Sequence, residues 1–518
     1  MSAKKYKCSV CGYVFNAANA AKYYSLDGSL QFEDVPIDWK CPICGYSKEF
    51  FVEIEYSELQ TKEKSKKNVA ENISDFPHTR TQIYTQNEFI SDKNAEKLNY
   101  DDSDKNQENK NFLLKEQAFR HLKDIILPYW SNLADYQCGG FYGYVDYNLQ
   151  INKNAQKGVI LHSRILWFYS TAYNVIGGEK NKKLATHAYD FLTEYCFDKK
   201  NGGLYWLMNS DCSCADSTKN TYNQAFGIYA LSAYSRLTDS KEALRYAYEL
   251  FECIEAYCTD EYGYLEAFDS EWKKPVESAI CDQGITAEKT MNTLLHVLEA
   301  YTELLDVDSH PRVAQKLKNI LQLCNDKLYY DDFERLEVFF DEKMNPVGDI
   351  HSYGHDIEAS WLLDKACDVL DKNSNLFDLA EQKELKILIS DTYAYTSIIA
   401  KKILENAFMD NSVYNEARGE RNGNAKIDKT RIWWVQAEAV VGFYNEFQKN
   451  GASPFKDAAK RVFDYIEKYV VDKRNGSEWF GYLNEDGTPI YGRPITEPWK
   501  CPYHNGRMCL ELIIRNAE

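Results

Sequence analysis

Residues 201–211 read NGGLYWLMNSD, a glycine pair followed by aromatic and polar residues, as in a β-hairpin. A charged amphipathic stretch precedes this segment at 180–198, and a more apolar stretch follows it at 221–237. The same order of charged helix, glycine/aromatic hairpin and apolar helix recurs along the chain. A helix that is apolar on most sides is buried on most sides, so the apolar stretches are predicted to be inner helices.

Six alternations of this kind follow one another between residues 113 and 518, which predicts an (α/α)6 barrel and a mainly α protein. Six inner helices would surround an axis, and the hairpins would rim a deep central cleft at one end. A superhelical array of helix-hairpin units is the alternative. The predicted outer helices are 116–130, 180–198, 241–258, 311–329, 381–408 and 454–472. The predicted inner helices are 158–176, 221–237, 288–306, 355–370, 431–448 and 505–516, and hairpins are expected at 138–148, 201–211, 261–271, 336–346 and 478–489.

The N-terminal segment carries two Cys-x2-Cys pairs, each followed by glycine. Four thiolates at this spacing can surround one ion tetrahedrally, a geometry shared by zinc and mononuclear iron. A glycine lets the backbone fold tightly around the metal. The pattern therefore predicts a metal site, and by itself it leaves a structural zinc ribbon open. The ligands would be Cys8, Cys11, Cys41 and Cys44.

The segments YKCSVCGYVF and FEDVPIDWKCPICGYSKEFF resemble rubredoxin over its whole length. The resemblance implies a rubredoxin-like domain at 1–54 that holds one iron on the four cysteines and carries one electron. Zinc can occupy the same ligands, because affinity alone does not separate the two metals. In that family the aromatic core around the iron would be Tyr6, Tyr13, Trp39 and Phe50.

Composition limits the functions that the chain can have. The net charge of −18 over 518 residues argues against nucleic acid or an anionic membrane as partner, and it fits a neutral ligand. No apolar run resembles a signal peptide or a membrane span, and 15 cysteines are too few for a disulfide framework. We therefore expect a cytoplasmic monomer. Residues 55–112 are rich in Lys, Asn, Asp and Glu and read as a polar linker to the domain at 113–518.

Histidines mark the predicted rim of the barrel. Five of the nine histidines lie at or just before the starts of inner helices. One histidine on an apolar helix is more often a satisfied core residue, but five at equivalent positions of a repeat favour a functional cluster. These five are His162, His296, His351, His355 and His504.

In HSYGHDIEASW, residues 351–361, His355 and Glu358 are spaced i,i+3 and face the same way on a helix. A carboxylate beside an imidazole fixes its tautomer and raises its basicity, as a general base requires. His351 and His355 are spaced i,i+4 and could instead form a metal pair. However, Gly354 interrupts the turn, and no acidic residue stands where the His-Glu-x-x-His motif of zinc sites requires it.

Other inner helices carry similar pairs. Asn292 and His296 are spaced i,i+4 on one face, and so are Trp434 and Glu438. Arg164 is a cation among apolar neighbours, and a buried arginine requires an anionic partner or an anionic transition state. Two further aromatic residues head or precede inner helices, namely Tyr222 and Trp499.

Six motifs of the large domain resemble the cellobiose 2-epimerases of the N-acylglucosamine 2-epimerase superfamily, a group of (α/α)6 barrels. They are GGFYGYVD, the HSR of ILHSRILW, EKTMNTLLH, SYGHDIEASWLL, WWVQAEAV and WKCPYHNGRM, in family order over about 113–518. The resemblance implies epimerisation at C2 of the reducing-end sugar of β-1,4-linked disaccharides, such as cellobiose to glucosyl-mannose. The carbonyl itself acidifies C2, so no cofactor is implied for this step.

The resemblance also implies roles for the residues of the site. His355 and His504 would be the two bases, oriented by Glu358 and Glu438, and His296 would assist ring opening. Arg164 and Asn292 would stabilise the enediolate. The sugar contacts would be Trp434, Trp499 and Tyr222, whereas His162 would not be catalytic.

Several alternatives stay open at the level of sequence. A mannobiose 2-epimerase, an N-acylglucosamine 2-epimerase or an aldose–ketose isomerase shares these motifs or this chemistry. A glycoside hydrolase would use Glu358 and Glu438 as its carboxylate pair. An electron-transfer protein would use the large domain for binding only. The role of the rubredoxin-like domain and its electron-transfer partner stays open as well.

Overall fold

The computed structural model describes residues 113–274 and 285–517, together with Phe32, Lys48 and three short strands. Two of these strands, β1 (Lys5–Cys8) and β2 (Phe51–Ile54), form a two-stranded sheet. Buried Phe32 stacks on Tyr6 at 4.2 Å between ring centroids and contacts buried Phe51 at 5.1 Å. Of the expected core aromatics, Tyr6 is thus seen. The predicted ligands Cys11, Cys41 and Cys44, the Cys8 side chain, the aromatics Tyr13, Trp39 and Phe50, and the linker 55–112 lie outside the described residues.

Twelve long helices make up the large domain within 113–274 and 285–517. Helices with odd numbers are outer and those with even numbers are inner. They are α1 (Leu114–His121, continued through Leu122–Ile126 to Leu127–Ser131), α2 (Val159–Ile176), α3 (Glu179–Phe191), α4 (Thr221–Thr238), α5 (Lys241–Tyr257), α6 (Met291–Val307), α7 (Pro311–Leu323), α8 (Tyr353–Lys372), α9 (Leu379–Asn406), α10 (Trp433–Asn450), α11 (Ser453–Tyr465) and α12 (His504–Ile514). The predicted bounds differ from the observed ones by less than one turn, except at the ends of three outer helices. There the α-helix stops at Phe191, Leu323 or Tyr465, and the predicted range also included the π-helical segment that follows, Leu192–Cys196, Cys324–Leu328 or Ile466–Val470.

The inner helices form a closed ring in the order α2, α4, α6, α8, α10, α12 and back to α2. Each later outer helix packs on the inner helix that precedes it, and α1 packs on α12. The backbone N–H of Lys115 donates to the carbonyl of Ala517 at 2.9 Å, which joins the two ends of the ring. This closure makes the domain an (α/α)6 barrel and not an open superhelical array. None of the described helices combines the length and apolarity that a membrane span requires.

Short strands connect the helix pairs at one end of the barrel. They are β3 (Lys157–Gly158), β4 (Leu207–Met208), β5 (Cys214–Asp216), β6 (Lys219–Asn220), β7 (Ala267–Phe268), β8 (Ile280–Asp282), β9 (Ile285–Ala287), β10 (Lys289–Thr290), β11 (Tyr329–Tyr330), β12 (Arg335–Leu336), β13 (Phe339–Phe340), β14 (Pro346–Val347), β15 (Ile350–Ser352), β16 (Phe408–Met409), β17 (Ser412–Val413), β18 (Glu416–Arg418), β19 (Lys426–Asp428), β20 (Arg431–Ile432) and β21 (Tyr482–Leu483).

One pairing rule repeats around the rim. The strand directly before an inner helix pairs antiparallel with a strand of the hairpin that follows the next outer helix: β3 with β4, β6 with β7, β10 with β13, β15 with β18 and β20 with β21. Before α12, Thr496 takes this place, and its carbonyl accepts a hydrogen bond from Val145 N at 3.0 Å. The rule brings the N-termini of all six inner helices to the hairpin end. The hairpins between 408 and 428 were absent from the predicted set.

Buried ion pairs lock the hairpins onto the helices. The turn after an outer helix holds an aspartate, and the strand before the inner helix holds a lysine whose ammonium reaches it. Lys157 Nζ lies 2.7 Å from Asp135 Oδ2, and the equivalent pairs are Lys219–Asp198 at 3.0 Å and Lys289–Asp260 at 2.7 Å. All three lysines are buried, so each requires this partner.

Candidate active site

The candidate site lies at the N-terminal ends of the inner helices, inside the hairpin rim. Tyr353 and Gly354 begin α8 just before His355, and His504 is the first residue of α12. Asn292 and His296 lie in the first two turns of α6, and Trp434 lies in the first turn of α10. Because the rim pairing places these helix ends at one level of the barrel, residues from distant parts of the sequence meet there.

His504 is held by a carboxylate. Its Nδ1–H donates to Glu438 Oε1 at 2.7 Å, and Glu438 Oε2 accepts from Trp361 Nε1 at 3.0 Å. This contact with Glu438 is the one expected from the sequence. A donating Nδ1 leaves Nε2 as the basic nitrogen. Burial, with the nearby Arg507 cation, lowers the pKa of His504 well below its usual value.

His296 has the same arrangement on the neighbouring α6. Its Nδ1–H donates to Glu299 Oε2 at 2.8 Å, one turn further along the helix. Burial alone would raise the pKa of Glu299, but the Arg507 cation and His296 hold it below its usual value. Glu299 was not among the residues predicted from the sequence, although its i,i+3 spacing from His296 places the two on one face of the helix.

His355 contacts a hydroxyl and not the expected carboxylate. Ser352 Oγ lies 2.7 Å from His355 Nδ1, whereas Glu358 faces elsewhere in the barrel. The expectation that Glu358 orients His355 is therefore wrong: Glu358 is buried and accepts from Arg507 Nη2 at 2.5 Å. A buried carboxylate is stabilised more by a charged donor than by a neutral imidazole. Burial lowers the pKa of His355 to about 3.

Trp434 is the aromatic residue that the two candidate bases share. Its indole lies 4.8 Å from the His355 ring and 5.5 Å from the His504 ring, measured between centroids. A Cβ at Gly354 would stand 2.5 Å from Trp434 Cη2, so this close approach requires glycine there. Gly354 lies inside the first turn of α8 and does not interrupt the helix.

Arg164 is a buried cation without a carboxylate partner among the described residues. Its Nη2 donates to Tyr222 Oη at 2.6 Å, its Nη1 reaches the carbonyl of Trp499 at 3.3 Å, and its Nε has no acceptor. The guanidinium also lies over the rings of Phe226 and Tyr503, at 4.2 and 4.7 Å from their centroids. Such a cation can stabilise an anion that forms during a reaction.

Arg507 lies one turn into α12 and is the second-last residue of the quoted WKCPYHNGRM motif. It was not among the residues predicted from the sequence. Its Nη2 donates to Glu358 Oε1 at 2.5 Å and to Glu438 Oε1 at 2.8 Å, and its Nη1 donates to Glu299 Oε1 at 2.5 Å. One guanidinium thus joins the carboxylates from three inner helices. We name Glu299, Glu358, Glu438 and Arg507 the carboxylate–arginine cluster.

The carboxylate–arginine cluster also bears on metal binding. Ligand atoms of Glu358, Glu438 and His504 lie within 4.8 Å of one another. Arg507 already donates to both carboxylates, so its charge occupies the place that a cation would take. His351 and His355 do not form a helical metal pair either, since His351 belongs to β15 and its ring contacts Asp356 and Glu420.

The remaining candidates divide into structural and cleft residues. His162 is buried, its Nδ1–H donates to Gly158 O at 2.7 Å, and its Nε2 accepts from Phe141 N at 2.9 Å, so both nitrogens serve the fold. Asn292 and Trp499 are half-buried. The Trp499 ring lies 5.8 Å from that of Tyr222, which places it beside Arg164.

Comparisons with known proteins agree with this fold. A family model described as N-acylglucosamine 2-epimerase matches residues 140–505, and one described as rubredoxin matches residues 5–51. A cellobiose 2-epimerase from Ruminococcus albus is 49% identical over 399 residues, which are 77% of this chain and 98% of that protein. A rubredoxin from Megasphaera elsdenii is 41% identical over 51 residues, 10% of this chain and 96% of that protein.

A solved structure extends the comparison to three dimensions. The crystal structure of a sugar epimerase from a ruminal bacterium is 47% identical and superposes with a TM-score of 0.73, covering 78% of this chain and 100% of that one. The barrel and these relatives together define a carbohydrate epimerase, that is, an isomerase. The chain belongs to the N-acylglucosamine 2-epimerase family and carries a rubredoxin domain at its N-terminus.

Proposed function

We propose that the protein epimerises the reducing-end sugar of β-1,4-linked disaccharides at C2, with conversion of cellobiose to glucosyl-mannose as the principal reaction. The observation that carries the proposal is the buried Arg164 guanidinium, which has aromatic and hydroxyl neighbours but no carboxylate among the described residues, and which lies near the imidazoles of His296 and His504. A developing enediolate supplies the anion that this cation lacks. The named activity of the similar R. albus protein supports the choice of cellobiose.

In the proposed mechanism His355 and His504 are the two bases. Once the ring is open, the C1 aldehyde acidifies C2, and one imidazole removes the C2 proton. Rotation about C2–C3 presents the other face of the enediolate to the second imidazole, which returns a proton. Both rings contact the Trp434 indole, so a sugar beside that indole has both bases within reach.

His296 opens the ring in this scheme by moving a proton at the ring oxygen or at O1. Its Nδ1–H bond to Glu299 leaves Nε2 for that transfer. Arg164 and Asn292 stabilise the enediolate oxygens, and Trp499 and Tyr222 hold the sugar. No step requires a metal or an organic cofactor.

The hydrolase alternative is disfavoured by the position of its carboxylates. Glu358 and Glu438 are buried and bind the same nitrogen of Arg507, so they do not flank a space for a glycosidic bond. A hydrolase requires its two carboxyl groups on opposite sides of that bond.

The test is incubation of the protein in D2O with cellobiose, followed by NMR. Deuterium at C2 and a glucosyl-mannose product are expected, whereas release of glucose would indicate hydrolysis. Mannobiose, lactose, glucose and an N-acylglucosamine run in parallel distinguish the related isomerases. If every sugar stays unlabelled and unchanged, the proposal is wrong.

Two variants test the assignment of the bases. His355→Ala and His504→Ala should each lower turnover by at least about 10²- to 10⁴-fold, the usual contribution of a general base, while the circular dichroism spectrum is retained. His310→Ala is the matched control, because His310 caps the distant outer helix α7. Near-normal turnover in either site variant removes that histidine from its role.

For the N-terminal domain, we propose that Cys8, Cys11, Cys41 and Cys44 hold one iron ion. Two Cys-x2-Cys pairs supply the four thiolates that rubredoxin iron requires, and zinc can take the same ligands. Bound iron would supply one-electron transfer. Epimerisation involves no net redox change, so a role for this domain in electron exchange with another protein is independent of the barrel reaction.

A further inference from the structure

We propose that Arg507 is a positioning residue that orients two of the three site histidines at once, through the carboxylates that they contact. The proposal rests on the epimerase function proposed above. It concerns the carboxylate–arginine cluster, whose four members are buried.

The hydrogen bonds connect the cluster directly to the imidazoles. Arg507 Nη1 donates to Glu299, which receives the Nδ1–H of His296. Arg507 Nη2 donates to Glu438 at 2.8 Å, and this same Oε1 atom receives the Nδ1–H of His504 at 2.7 Å. A change in the position of one guanidinium therefore displaces the acceptors of two histidines.

Aromatic rings fix the guanidinium itself. Arg507 is fully buried, and its guanidinium carbon lies 4.1 Å from the centroid of Tyr503 and 4.7 Å from that of Trp361. The Tyr503 hydroxyl donates to Glu299, which adds a further bond to the same cluster. The planar fork of arginine can serve three carboxylates in one plane, which a lysine ammonium cannot do with the same geometry.

The charges of the cluster also shift the pKa values of Glu358 and His504. Three carboxylates face one guanidinium, and burial together with the Glu438 charge raises the pKa of Glu358 to about 8. The Arg507 cation disfavours a second positive charge on His504. The other titratable or charged groups that face the cluster are Arg164, His296, His355, Glu303, Tyr222, Tyr229 and Tyr503.

The experiment compares Arg507→Lys with Arg335→Lys in the full-length protein. Arg335 is equally buried and binds Glu420 at 2.6 Å and Asp349 at 2.8 Å, but it does not contact the site histidines. Thermal unfolding, kcat, KM and the pH profile of kcat/KM are measured for both variants and for the unaltered protein with cellobiose.

Arg507→Lys should lower kcat about 10²-fold, the usual cost of misplacing a reacting group by about 1 Å. KM should change by less than about threefold, since the proposal assigns the buried cluster no contact with the substrate. The acid limb of the pH profile should move to higher pH. When residue 507 pairs less closely with Glu438, the Glu438 carboxylate stabilises a protonated His504 more strongly, and the pKa of His504 rises. Arg335→Lys should lower the unfolding temperature similarly and leave kcat and the acid limb unchanged.

A kcat and an acid limb in Arg507→Lys that match those of Arg335→Lys would overturn the proposal and make the cluster merely structural. If Arg507→Lys does not fold, the double variant Arg507→Met/Glu358→Gln removes one cation and one anion and carries the same expectations. Absence of turnover in the unaltered protein would instead refute the proposed function, so the two failures are distinguishable.

Discussion

Replacing Arg164 by methionine should lower the catalytic rate without lowering the free energy of unfolding. A buried charged side chain normally stabilises a protein only through its partners, and losing such a pair costs about 3–5 kcal/mol. Arg164 has no carboxylate partner within the described parts of the chain, and its Nε has no acceptor. If this cation serves a transient anion, the resting fold gains little from it.

The magnitude follows from the contacts. Methionine removes the desolvation cost of a buried cation, which is several kcal/mol, and loses cation–π contacts with Phe226 and Tyr503 worth about 0.5–2 kcal/mol each. The free energy of unfolding should therefore stay unchanged or rise, by up to about 4 kcal/mol. Loss of one donor to a developing oxyanion should lower kcat about 10²- to 10³-fold.

The assay is deuterium incorporation at C2 of cellobiose, together with thermal and denaturant unfolding. Arg335→Met is the control, because it breaks paired contacts with Glu420 and Asp349 and should destabilise the fold by about 3–5 kcal/mol. The reasoning is refuted if Arg164→Met unfolds as easily as Arg335→Met, or if its kcat stays within a few-fold of normal.

Three further predictions concern pH and metal. Because burial lowers the pKa of His355 to about 3 and that of His504 well below its usual value, kcat/KM should show no histidine titration near pH 6.5, and an inflection there would contradict this. The unfolded chain binds these protons more tightly, so the free energy of unfolding should be at its full value above about pH 6.5 and fall as the pH is lowered. Removing the metal with a chelator, or Cys41→Ser, should abolish visible absorption by ferric iron and leave the C2 exchange rate unchanged. Loss of C2 exchange on metal removal would contradict this expectation and show that the metal of the N-terminal domain affects the reaction of the barrel.

The spacing rule for helices succeeded in one place and failed in another. Both His296–Glu299 and His355–Glu358 are spaced i,i+3, yet only the first pair is joined by a hydrogen bond. Spacing brings two side chains to one face of a helix, but a residue on another helix can form a hydrogen bond with one of them and so prevent the pair from forming. Here Arg507 attracts Glu358, and Ser352 is left to contact His355.

Sequence by itself determined the alternation of outer and inner helices, because burial periodicity and the glycine/aromatic hairpins are local properties of each repeat. It also located His296, His355, His504 and Arg164, since helix starts at the rim can be counted along the chain. Only the tertiary structure decided how the repeats close, with α1 against α12, and how carboxylates from three helices share Arg507. The contacts of Arg507 join residues up to 208 positions apart, and their geometry depends on the ring of helices and not on any single segment.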